Sequence, residues 1–227
     1  MAADTPKIFP LGDGALVVEF GREISVELNG KAIALANYLD ANPFAGYIES
    51  VPAYASTAVF YDTGRVRSEL SSGKSAFETL VKLLEPIIER LDKTSEAETR
   101  RLKIPISFEK EDALDLAVIS KNAKLAQHEV IEIFTSVEYR VFMLGFLPGF
   151  TYMGLVDPRI AMPRKETPRV KTPKGSVGIA VQQTGIYPFD SPGGWQIIGR
   201  TTVEMFDPAS ETPCLLRPGD VIRFVPT

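Results

Sequence analysis

One cysteine, Cys214, and one histidine, His128, stand among 227 residues, and these two scarcities remove a good deal of chemistry. A lone cysteine forms no internal disulfide and suits a reducing compartment, so the expected location is cytoplasmic. A lone histidine leaves no histidine pair for zinc and little material for a Ser-His-Asp arrangement, and no metal site is expected. The chain also lacks a G-x-x-x-x-G-K-[ST] phosphate loop and a G-x-G-x-x-G turn. Its nearest approach to a Gly-x-Ser-x-Gly elbow is Lys174-Gly175-Ser176-Val177-Gly178, with lysine in the first glycine's place. No apolar run approaches the roughly 18 residues of a membrane span. The opening MAADTPKIFPLGDG has no basic segment followed by an apolar one, so neither a secretory signal nor membrane contact is expected. With 25 basic and 29 acidic residues the net charge is −4, which argues against nucleic acid as a partner.

What is present divides into two styles of patterning. Up to about residue 95 strands and helices alternate. The turn Leu11-Gly12-Asp13-Gly14 leads into a strand over 15–20, and Leu28, Ala32, Leu35 and Leu39 recur at helical spacing behind a candidate N-cap, Ser25. Asn42-Pro43 ends that helix. Strands are expected over 47–51 and 56–61, the second closing at Asp62-Thr63-Gly64. A second helix begins near Ser75, with Phe77, Leu80, Leu84, Ile88 and Leu91 on one face and Pro86 expected to kink or divide it. Residues 92–101, charged and hydroxyl-rich with nothing large and apolar, read as a linker. Beyond it come an edge strand from Leu102 to Phe108 carrying Pro105, helices over 113–120 and 125–135, and then short strands separated by Gly and Pro. The expected fold class is α+β: a small two-layer α/β domain at 1–95, then a β-barrel domain at 96–227.

The chemistry should lie in 145–199, which holds nine of the 17 glycines and seven of the 17 prolines. Interleaved aromatics (Phe146, Phe150, Tyr152, Tyr187, Phe189, Trp195) make this a set of fixed turns, since a disordered Pro/Gly segment would lack them. Pro158, Pro163, Pro168 and Pro173 recur every five residues and predict an extended segment. Residues 157–174 carry six basic and two acidic side chains, a local +4. That strip reads either as a solvated loop or as a site for a carboxylate, a phosphate or an acidic surface. Gly193-Gly194 followed by Trp195 reads either as a hairpin turn with a core tryptophan or as backbone donors beside a flat ligand wall. A nucleophilic Ser191 would need a base, and the one histidine is far away in sequence.

Taken in order, GFLPGFTYMG (145–154), MPRKETPR (162–169), KGSVGIA (174–180), QTGIYP (183–188), SPGGWQIIGRT (191–201) and RPGDVIRF (217–224) resemble the allophanate hydrolase subunit 1 family. PLGDGALVVEFG (10–21) and ESVPAY (49–54) fit its usual opening. That family includes the B-type component of bacterial ATP-dependent 5-oxoprolinase and KipI-type kinase inhibitors. The resemblance implies a cyclophilin-like barrel in the second domain and a likeness to the carboxyltransferase portion of urea carboxylase. It also implies partners: a subunit 2 or C-type barrel protein and a third, A-type protein, which together with this chain turn 5-oxo-L-proline and ATP into L-glutamate, ADP and phosphate. ATP would then be bound by the assembled complex, and no biotin attachment site is expected. Inhibition of a sensor histidine kinase, or hydrolysis of an allophanate- or urea-type amide, are the alternatives it carries. The implied ligand groove comprises Arg164, Arg169, Gln183, Tyr187, Ser191, Gly193, Gly194, Trp195 and Arg200, with Gly145, Phe146, Pro148, Gly149 and Phe150 beside it. The family commonly has a histidine before the strand at Tyr139-Arg140-Val141, where this chain has Phe134. This phenylalanine signals either altered catalysis or a packing position.

Overall fold

The computed structural model describes residues 6–70, 75–91 and 99–227. Backbone proximity divides the chain into two units, 1–98 and 99–227.

The first unit is a four-stranded antiparallel sheet with helices against one face. Its elements are β1 (Lys7–Pro10), β2 (Ala15–Glu19), α1 (Val26–Ala41), β3 (Tyr47–Pro52), β4 (Ser56–Tyr61), α2 (Thr63–Glu69) and α3 (Ala76–Leu91), with strand order β1-β2-β4-β3. Ser25 caps α1 as its position suggested, its hydroxyl accepting from the Leu28 N–H. Leu35 and Leu39 of α1 and Leu80, Leu84 and Ile88 of α3 pack on Leu16, Val18 and Val59 of the sheet. β4 closes before Asp62 as expected, and two local details add to the sequence reading. Asp62 does not merely close a strand: its carboxylate accepts from the Arg65 N–H and starts α2, because an Asp that reads as a turn residue serves equally as an N-cap. Pro86 does not divide its helix, and α3 runs through it as one element.

The second unit supplies β5 (Arg101–Ile106), α4 (Leu116–Ala123), α5 (Gln127–Ser136), β6 (Tyr139–Gly145), β7 (Leu147–Gly154), a 3-10 turn (Pro158–Ile160), β8 (Arg169–Thr172), β9 (Ser176–Ala180), β10 (Gln183–Ile186), β11 (Ser191–Gly193), β12 (Gln196–Arg200) and β13 (Val221–Pro226). Arg101 is already strand, so it does not belong to the expected linker, and residues 92–98 of that linker lie outside the described residues. α4 starts three residues later than its sequence pattern predicts. The proline-spaced segment is not extended throughout, because Pro158 opens the 3-10 turn.

Seven strands form one sheet in the order β12-β9-β10-β7-β6-β13-β5. Its first and last strands approach each other: Ser107, just past β5, and Arg200 of β12 exchange backbone bonds of 2.8 and 3.0 Å. The result is a nearly closed barrel. Alternation then decides what each residue faces. Ile104, Ile106, Val141, Met153, Val177, Ile179, Ile186, Ile222 and Phe224 turn inward to one core, joined by Ile119 of α4 and by Val130 and Phe134 of α5. Phe134 is fully buried, stacked on Phe224 at 5.0 Å and beside Tyr139 at 5.1 Å. Tyr139 donates its hydroxyl hydrogen to the Phe134 carbonyl. Phe134 is thus a packing residue in this core.

Candidate functional site

The alternate residues of β7, β9, β10 and β12 point to the other face of the sheet and build a second, smaller layer. Phe150, Ala180, Tyr187, Trp195 and Ile197 form it, with Leu147 and Tyr152 packed against them. Phe150 is the hub, meeting Tyr187 edge-on at 5.1 Å, Trp195 at 5.5 Å and Tyr152 at 4.9 Å. Two glycines in this face make room for the rings. A Cβ on Gly178 would stand 2.9 Å from Cβ of Trp195, and one on Gly185 would stand 2.5 Å from the Thr151 carbonyl and 3.0 Å from the Phe150 ring. Glycine is what the close approach of ring to sheet requires.

A two-stranded ribbon, β8 paired antiparallel with β11 through Ser191↔Thr172 and Gly193↔Arg169, borders this layer. The stretch leading into it is tied to the segment carrying Trp195. Lys165 N–H donates to the Gly194 carbonyl at 2.7 Å, Gln196 Nε2 to the Pro163 carbonyl at 3.2 Å, and Arg169 Nη1 to the Trp195 carbonyl at 3.4 Å. This seam sets the Arg164 guanidinium over the Trp195 ring, 5.9 Å from its centroid, a cation–π arrangement. Arginine strip and aromatic wall therefore meet.

The strip's charge is largely matched. Arg159 pairs with Asp157, Lys165 and Arg169 with Asp115, Lys171 with Asp190, and Lys174 with Glu204. Arg159 holds the Asp157 carboxyl down at about 2 through its side-chain and backbone N–H groups. Lys171 and the Lys174 N–H likewise lower Asp190. Arg164 is the strip cation that has no carboxylate partner among the described residues. The Tyr187 hydroxyl is pushed up to about 12, chiefly by burial and against the pull of the Trp195 backbone N–H and of Arg164 and Arg169. It is a neutral donor at physiological pH, not a base.

The expected groove residues do not all converge. Arg164, Arg169, Tyr187, Trp195 and Phe150 do. Phe146 joins at the rim: at the tip of the β6–β7 hairpin, with φ of +66°, it is 62% exposed and meets Phe150 edge-on at 5.5 Å. Gly145 closes β6 beneath that tip, and Pro148 is exposed on β7. Gln183 stands half-buried opposite Ala180, on the same face as Gly185. Gly149 faces elsewhere, with a Cβ there only 2.8 Å from Cβ of Phe206. Gly193 makes its close approach to protein: an added Cβ would lie 2.6 Å from both the Tyr187 and the Thr172 hydroxyl oxygens. Gly194 contributes its carbonyl to Lys165. Arg200 bonds the Lys174 carbonyl at 2.8 Å and approaches Asp112 at 3.7 Å, away from the wall. Ser191 is buried and its hydroxyl donates to the Pro192 carbonyl, while His128 lies exposed on α5. Tyr187 and Trp195 are 1% and 5% exposed, so the layer is mostly packed, and what it offers an anionic group is the exposed Arg164 guanidinium above the Trp195 ring. It assembles no nucleophile with a base.

Sequence reasoning missed Asp115, which falls inside the helix expected over 113–120 and stands instead just before α4. Its carboxylate caps nothing in α4 and instead bonds Arg169, Lys165 and the Ile197 N–H.

The chain thus combines a small α/β sheet unit with a nearly closed seven-stranded sheet against which α4 and α5 pack. The family model for the carboxyltransferase domain, subdomain C and D, matches residues 6–216, and the chain belongs to that family. Among curated proteins it is 44% identical over 220 residues to the 5-oxoprolinase B subunit of Bacillus subtilis (strain 168), covering 96% of this chain and 92% of that one. It is 36% identical over 220 residues to the 5-oxoprolinase B subunit of Escherichia coli O157:H7, covering 97% and 95%. The crystal structure of TTHA0988 superposes with a TM-score of 0.79 at 35% identity, over 94% of this chain and 40% of that longer one. Among the described residues no helix is long and apolar enough to cross a membrane.

Proposed function

We propose that this chain is the B-type component of an ATP-dependent 5-oxoprolinase, working with a C-type barrel protein and an A-type protein to convert 5-oxo-L-proline, ATP and water into L-glutamate, ADP and phosphate. The observation that carries this reading is the 44% identity to a 5-oxoprolinase B subunit along nearly the whole chain. The site agrees with it. A small molecule bearing one carboxylate matches one guanidinium without a carboxylate partner, set above one indole. Arg164 would bind the carboxylate of the lactam, with Trp195 beneath it and Tyr187 supporting the layer from within. A second anionic group as large as a triphosphate finds no matching cradle here, because the other strip cations already face carboxylates. The nucleotide is accordingly assigned to the assembled complex rather than to this strip. Chemistry also needs a partner, since Ser191 and His128 do not meet.

Purified with its cognate A-type and C-type partners, the complex should consume ATP in step with 5-oxo-L-proline. Arg164→Ala should lower kcat/KM at least tenfold while leaving the circular dichroism spectrum and melting temperature nearly unchanged, as changes at exposed positions usually do. A full set of components without turnover of 5-oxo-L-proline would sink the reading.

A further inference from the structure

Two separate stretches of chain converge on the carboxylate of Asp115, whose side chain is only 3% exposed. Oδ1 accepts from Arg169 Nη2 at 2.6 Å and from Lys165 Nζ at 3.3 Å. Oδ2 accepts from the Ile197 N–H at 2.6 Å, and the Asp115 N–H donates to the Ile197 carbonyl at 2.8 Å. One residue thus grips both backbone groups of position 197, two places after the indole. The same Arg169 reaches the Trp195 carbonyl. Asp115 therefore sits where the ribbon bearing Arg164 and the strand bearing Trp195 are fastened to each other.

Charge gives the fastening a second effect. Without Asp115, Arg169 and Lys165 would be cations beside Arg164 with no carboxylate between them and the wall, free to draw a ligand's anionic group away from the indole. A buried carboxylate with two cations and a backbone N–H is stable only as a set, since removing one member leaves the others uncompensated.

We infer that Asp115 is a positioning residue of this site: by holding Arg169, Lys165 and Ile197 it seats the indole beneath Arg164 and leaves Arg164 as the cation that meets the ligand. This rests on reading Arg164 and Trp195 as ligand-binding residues.

The sole tryptophan makes the seating observable, since all tryptophan fluorescence of the chain comes from Trp195. Asp115→Asn keeps the shape and one acceptor oxygen but not the charge. In the full chain it should raise the iodide quenching constant of Trp195 at least threefold. In the reconstituted complex it should raise KM for 5-oxo-L-proline tenfold or more with kcat within threefold of wild type. Arg169→Gln should act in the same direction, and the double variant should be no worse than either single one, because both break one link. Multiplying effects in the double variant, or wild-type quenching and KM in Asp115→Asn, would overturn the proposal. If Asp115→Asn does not fold, Arg169→Gln with wild-type quenching and KM overturns it equally. A wild-type complex that ignores 5-oxo-L-proline, or an Arg164→Ala complex that equals wild type, defeats the substrate reading instead, and the quenching arm still decides whether Asp115 seats the indole.

Discussion

Replacing Trp195 by alanine tests the aromatic layer most directly. The indole is 5% exposed, lies edge-on to Phe150 and Tyr152 at 5.5 and 5.9 Å, and has its Cβ against the bare face of Gly178. A buried aromatic removes roughly 150–250 Å² from water, which at about 25 cal/mol per Å² is worth about 4–6 kcal/mol. The seam between residues 163–169 and 194–197 restrains collapse into the hole, yet the exposed side of the ribbon can settle a little. A cost of about 3–5 kcal/mol follows, within the range for Trp→Ala truncations. Because the variant has no tryptophan, far-UV circular dichroism in a urea titration is the proper readout. With a slope of about 1–3 kcal/mol per molar urea, the midpoint should fall by roughly 1–5 M. Trp195→Phe, which refills much of the space, should lose less than half as much. A midpoint within about 0.3 M of wild type would mean that the ring is not part of a packed layer, and the account of Gly178 and Gly185 would go with it.

Gly185→Ala places a methyl 2.5 Å from a backbone carbonyl that cannot swing aside, so it should cost at least about 2 kcal/mol, read from the same titration; a neutral result would refute the close approach. Tyr187→Phe tests the alkaline limb of stability. A hydroxyl held up to about 12 in the fold and near 10 in the unfolded chain contributes stability that is fully present below pH 10 and lost as pH rises towards 12. Wild type should therefore lose on the order of 2–3 kcal/mol more than the phenylalanine variant over that window, measured by urea midpoints at stepped pH; parallel curves would contradict it.

Elements governed by neighbours in sequence were legible, and those governed by distant partners were not. Ser25, the leucine spacing of α1 and the alternation of β5 are local signals, and each appears where the pattern puts it. The cationic strip was equally visible as composition, but its compensation was not. Asp115 lies 50 and 54 residues from Lys165 and Arg169, and 82 from Ile197. No local rule connects them. Asp62 reads as the end of a strand and also caps a helix, whereas Asp115 falls within an expected helix and instead anchors a ribbon. Aromatic density around Gly-rich turns marked the place where Phe150, Tyr187 and Trp195 pack into one buried layer. The glycines were assigned the wrong neighbour at Gly193, where ring and hydroxyl, not ligand, take the missing side chain's space. Arg200 followed its motif rather than its position, which is at the far end of β12.

The strand that opens the barrel unit lies beside the one that closes it: β5 and β13 run parallel over six paired positions, from Val221↔Arg101 to Pro226↔Ile106. More than a hundred residues must emerge from the ribosome before that pairing can form, so the growing chain carries an unmatched strand over that whole stretch. Such long sequence separation slows folding and leaves a sticky edge waiting for its mate. Pro105 leaves that strand one backbone donor fewer.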